Sequence, residues 1–79
     1  MKGINYKVIE ANTPIWSASQ NISQVSWLLG QALGRDGDYL KIAYMNEALR
    51  EIQAIEEKLE KSRAIIAEAI ASVENEEAA

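Results

Sequence analysis

The stretch MNEALREIQAIEEKLEKSRAIIAEAIASV, residues 45–73, decides how this chain folds. Met45, Ile52, Leu59, Ile66 and Val73 recur every seven residues, flanked by Ala48, Leu49, Ile55, Ala69 and Ile70, with no Gly or Pro between them. A sustained seven-residue apolar repeat belongs to a helix that lays one stripe against other helices. Charges take the opposite side, where Glu47 with Arg50 and Glu57 with Lys61 are spaced for surface pairs worth a few tenths of a kcal/mol each. The pattern predicts a long helix over 39–74 and a frayed acidic tail over 75–79.

Upstream, GRDGDY (34–39) reads as a turn over 35–38. Gly34 suits a left-handed residue closing the preceding helix, and Asp36 or Asp38 can cap the next one. Its Asp-Gly-Asp hints at calcium, but the twelve-residue ligand series and closing glutamate of a calcium loop are missing.

Before the turn lies a segment without a single formal charge, ANTPIWSASQNISQVSWLLGQALG, residues 11–34. Asn12 or Thr13 as cap and Pro14 at the first helical position mark a helix start, so the expected first helix covers 13–34. Ile15, Ala18, Ile22, Val25, Leu29, Ala32 and Leu33 recur at threes and fours. On a helical wheel Ser19, Ser23, Ser26 and Gly30 adjoin the aliphatic arc. Trp16 and Trp27 line up next to them, about 20° apart at 100° per residue. A helix so poor in charge is explained by packing on two sides.

Residues 3–10, GINYKVIE, alternate with Ile4, Tyr6 and Val8 on one side, which predicts a short strand or arm within 1–12. No second strand candidate follows, so such a strand would pair with another molecule or stay frayed.

The 79 residues make one domain near the lower size limit for a self-sufficient core. Small folds need staples, and with no Cys and no His neither a disulfide nor an ordinary zinc site is on offer. Self-association is the staple left. A first helix of about 30 Å would also leave part of a second helix of about 52 Å uncovered, at 1.5 Å per residue. The predicted fold is thus mainly α: a short N-terminal strand or arm, then a helical hairpin with a long second helix, assembling as a helical-bundle homo-oligomer, with a dimer the commonest arrangement.

The net charge of −4 disfavours nucleic acid as a partner. MKGINYK carries no apolar signal region, and no run of 18 apolar residues exists to span a membrane, so a cytoplasmic protein is expected. EEKLE (56–60) resembles the carboxylate clusters with which all-helical metal-dependent nucleotide pyrophosphohydrolases hold Mg²⁺. Such a cluster needs carboxylates from a facing helix, and the first helix has none, so a solvated face is the expectation and no metal or cofactor is assigned. Without His or Cys, and with no supporting motif around Ser, Lys or Tyr, no catalytic residue is assigned and an enzyme is not expected.

What remains is binding. Trp16 and Trp27, with Tyr39 and Tyr44, are candidate contacts for a partner protein or for the oligomer itself, since aromatic residues dominate interface energetics. Leu59, Ile66, Ile70 and Val73 are candidate self-association residues. The leading expectation is a non-enzymatic interaction module, an adaptor, inhibitor or regulator working as a homo-oligomer. In element order residues 3–53 also resemble the ribbon-helix-helix DNA-binding dimers, and the resemblance implies that Asn5 and Lys7 would face the major groove. A third reading is an oligomer that sequesters a small ligand between chains, in a pocket walled by the tryptophans.

Overall fold

The computed structural model describes residues 2–78, with side chains described from Gly3 to Glu76. It is a hairpin of two helices, α1 (Lys2–Leu33) and α2 (Asp38–Ala78), packed against each other along their length. The result is a rod of 64 × 16 × 11 Å with a radius of gyration of 18.3 Å. A globular domain of this length would have a radius near 12 Å.

The helical hairpin expected from the heptads is present, and α2 begins one residue before the expected start. Expectations at both ends of the chain are corrected. Residues 3–10 are not a strand: they form the first turns of α1, and the described residues hold no strand at all. The tail also stays helical as far as Ala78; Met1 and Ala79 lie outside the described residues. The N-terminal correction has a clear cause. A lone strand leaves its backbone groups unpaired, whereas a helix satisfies its own, and helix propensity penalises Ile, Tyr and Val by only about 0.5 kcal/mol each. α2 is long enough to offer these residues a surface, and Ile4, Lys7 and Ala11 settle on it half-buried or buried.

Pro14 therefore sits inside α1 rather than at its start. An internal proline removes one ladder hydrogen bond and costs about 3 kcal/mol. Hydroxyl groups bond to carbonyls on either side of the affected turn. Ser62 Oγ on α2 donates to the Ala11 carbonyl at 2.7 Å, and Thr13 Oγ1 donates to the Ile9 carbonyl at 3.2 Å instead of capping a helix. Among the described residues Ser62 is the buried polar side chain, at 2 % exposure.

At the turn, Gly37 takes the left-handed conformation with φ +93°, and Gly34 does not, contrary to expectation. The Gly34 amide still ends α1 by donating to the carbonyls of Gly30 and Gln31, and the Gly37 carbonyl accepts the first bond of α2 from Lys41. Asp38 stands in the first turn of α2, where its charge complements the helix dipole. Lys41 Nζ donates to the Ala32 carbonyl at 3.1 Å, placing a cation on the C-terminal end of α1.

The seam between the helices follows a strict alternation of threes and fours. On α1 it runs Ile4, Lys7, Ala11, Pro14, Ala18, Asn21, Val25, Leu28, Ala32, every one buried or half-buried. On α2 it runs Lys41, Tyr44, Ala48, Glu51, Ile55, Lys58, Ser62, Ile65, Ala69, again all buried or half-buried. That spacing keeps one stripe of each helix turned toward the other along the hairpin. Ala11, Ala18, Ala32 and Ala48 are among its best-buried members, so the interior is thin.

Candidate functional site

The heptad that decided the fold is not the seam. Met45, Ile52, Leu59 and Ile66 each follow a seam residue by one position, which rotates them about 100° around α2, and Val73 continues their spacing. They form a row on one flank of the hairpin, and the first four stay exposed at 38–50 %. α1 carries a matching row of Val8, Ile15, Ile22 and Leu29, also seven apart and all exposed. In an antiparallel pair, reversing one helix brings equivalent heptad positions to the same flank, so both rows line one face. Two apolar troughs record their meeting: one of about 400 Å³ where Val8 and Ile15 approach Ile66 and Ile70, another of about 350 Å³ where Leu29 approaches Met45.

The opposite flank is polar except at Ala54, with Glu10, Ser17, Gln24 and Gln31 on α1 and Glu47, Lys61 and Glu68 on α2. The hairpin is therefore two-sided in a way that neither helix is alone. Burying the remaining half of nine aliphatic side chains is worth on the order of 10 kcal/mol per chain. That is comparable with the whole stability of a small domain.

α1 has a third surface. Trp16 and Trp27 lie on its outer side, in line with Ile9, at 65 % and 54 % exposure. They stand about 16 Å apart along the helix, with Gln20 and Ser23 between them. Tyr39 and Tyr44 do not join them. Tyr39 is exposed in the first turn of α2, while Tyr44 sits half-buried in the seam. Its hydroxyl accepts from Arg35 at 3.1 Å, and the Arg35 guanidinium carbon stands 5.3 Å from its ring centre. The tyrosines thus anchor or border the turn. Of the other named residues, Leu59, Ile66 and Ile70 are exposed on the aliphatic face and Val73 is half-buried at its end.

One level of the seam holds a network of three polar side chains. Asn21 donates its amide to Glu51 at 2.5 Å and accepts from Lys58, so one uncharged side chain on α1 bridges both charges on α2. Off the seam, Glu47 pairs with Arg50 and raises the pKa of its guanidinium through the hydrogen bond and the charge. The expected Glu57–Lys61 pair does not form among the described residues; Glu60 with Arg63 at 3.5 Å does. Neither tryptophan lines either apolar trough within the chain. No helix among the described residues is long and apolar enough to cross a membrane, and no group of three potential metal ligands occurs among them.

The mismatch in helix length expected to drive self-association is largely absent. With α1 extending to Lys2, it spans about 48 Å and covers α2 as far as Ala69. The uncovered apolar surface lies along a flank rather than beyond an end. Sequence reasoning missed Val8 as part of this face because it was assigned to a strand, although its spacing from Ile15, Ile22 and Leu29 was the available signal.

Compared with known protein families, curated proteins and solved structures, the chain matches none.

Proposed function

We propose that this chain is a non-enzymatic interaction module that self-associates through its aliphatic flank and binds a partner protein through the outer side of α1. The observation that carries the reading is the coincidence of two apolar rows, Val8 to Leu29 and Met45 to Val73, on one flank of a hairpin whose own interior is built largely of alanine. Such a molecule gains more by closing its flank on other helices than it gains inside itself. The tryptophan line points about 100° away from that flank, so it stays available after the flank is covered. The module would act by occupying a partner's surface, as an adaptor, inhibitor or regulator.

Sedimentation equilibrium and light scattering across micromolar concentrations test the first half. Assembly into a discrete oligomer is the expected result, and a stable monomer would sink it. Trp16→Ala and Trp27→Ala test the second half: both variants should fold and assemble, while losing proteins that the wild-type chain retains from its host's extract.

The DNA-binding alternative depended on a β-ribbon, and the residues that would build it, Asn5 and Lys7, are helical. A ligand held between chains and walled by tryptophan finds no support in the troughs, which have aliphatic walls.

A further inference from the structure

Resting on the self-association just proposed, the aliphatic flank carries enough detail to specify its occupant and the register. Directly beside the Met45–Val73 row on α2 runs a second row at seven-residue spacing: Ile42, Leu49, Glu56, Arg63, Ile70. It is apolar except at its middle, where an acid and a base stand one heptad apart. Both side chains are exposed, and among the described residues Glu56 has no ion-pair partner while Arg63 reaches only Glu60, a pair 81 % and 70 % exposed.

The arrangement is symmetric about Leu59. Running the row antiparallel to a second copy of itself places Glu56 opposite the partner's Arg63, and Arg63 opposite the partner's Glu56. The same shift places Leu49 opposite the partner's Ile70. In the neighbouring row Leu59 meets its own copy, Ile52 meets the partner's Ile66, and Met45 meets the partner's Val73. α1 obeys the same two-fold. Ile15 is the member of the α1 row nearest the level of Leu59, given the register fixed by the Ala11–Ser62 and Asn21–Glu51 bonds. Around it Val8 is opposed to the partner's Ile22. The small polar row next to it, Asn5, Asn12, Ser19 and Ser26, opposes amides to hydroxyls and allows close approach.

We propose that a second copy of this chain covers the aliphatic flank face to face, α2 antiparallel to the partner's α2 and α1 to the partner's α1, with the two-fold axis passing between Leu59 and Ile15 and reciprocal Glu56–Arg63 pairs at its sides. Other two-fold stackings lack this complementarity. A parallel α2 pair sets Glu56 against Glu56 and Arg63 against Arg63, which repel. Stacking α2 on the partner's α1 sets both charges against the row of Asn and Ser. The area also suits a dimer. The chain exposes 6115 Å², whereas a compact monomer of 8.8 kDa exposes about 4,800 Å². The excess is larger than the roughly 800 Å² that each partner gives up in a standard stable interface.

Electron spin resonance distances test the register. The chain has no native Cys, so Glu57→Cys and Ala71→Cys each carry one nitroxide label, in one exposed row away from the proposed interface. In the proposed dimer the two labels are offset along the axis by about 8 Å at 57 and about 35 Å at 71, at 1.5 Å per residue. A clearly longer distance at 71 is the expected result. Equal distances at the two sites would overturn the antiparallel register while leaving self-association standing. A monomer by light scattering would overturn both. Charge variants test the pairing: Arg63→Glu should weaken dimerisation roughly tenfold, and adding Glu56→Arg to it should restore the wild-type constant. A dimerisation constant unmoved by Arg63→Glu would overturn the reciprocal pairs.

Discussion

Ser62→Ala removes one oxygen atom from the most enclosed polar group of the hairpin. Ser62 is 2 % exposed and its hydroxyl donates to the Ala11 carbonyl at 2.7 Å, three residues ahead of a proline that has already broken the local ladder. Losing a buried hydrogen bond, and leaving the carbonyl without that donor, costs about 1.5 kcal/mol. Alanine recovers about 0.5 kcal/mol because it is the better helix former. The net loss is thus about 1 kcal/mol, equivalent to a fall in Tm of about 4–8 °C for a domain of this size. Ser72→Ala supplies the reference, since Ser72 is exposed on the same helix and reports propensity alone. Thermal melts followed by far-ultraviolet circular dichroism, at one fixed chain concentration because assembly shifts Tm, separate the two effects. If Ser62→Ala matched or exceeded Ser72→Ala in stability, the idea that α2 supports α1 at its proline would be refuted.

Four further outcomes are expected. Gly37→Ala forces a side chain into φ +93° and should lower stability by about 1 kcal/mol, measured by urea unfolding with an unchanged slope. Asn21→Ala strips Glu51 and Lys58 of their shared partner inside the seam and should cost about 1–2 kcal/mol in the same assay. Lys41→Met removes the cation from the end of α1 and should cost about 0.5–1 kcal/mol, with the loss shrinking as salt is added. Trp16→Ala and Trp27→Ala, whose rings are more than half exposed, should change stability by less than about 1 kcal/mol in melts at fixed concentration.

The hairpin, its turn and the length of α2 were legible because a seven-residue apolar repeat and a Gly-rich break are local signals. The identity of the seam was not. Apolar content marked Met45, Ile52, Leu59, Ile66 and Val73 as the stripe that meets a neighbouring helix, yet within the chain that neighbour meets Ala48, Glu51, Lys58 and Ser62. Alanine and one well-placed asparagine permit close approach without announcing themselves by hydrophobicity. The N-terminal strand was misread for a related reason. Ile4, Tyr6 and Val8 alternate acceptably for a strand, and Pro14 advertises a helix start. Only the long template of α2 makes a proline inside α1 tolerable. Of the candidate contacts, Trp16, Trp27, Tyr39, Leu59, Ile66 and Ile70 are exposed. Tyr44 is tied to Arg35 at the turn, a cross-helix contact that no periodicity could reveal.

The uncharged span from Ala11 to Gly34 makes the two long edges of the rod respond differently to their medium. One edge is ionic and its attractions fade as electrolyte thickens around it. The other has no charges to screen over most of its length, and sulfate or phosphate tightens whatever it holds by raising the cost of wetted hydrocarbon. A rise in ionic strength would then loosen grips made along the α2 edge while strengthening those made through the tryptophans.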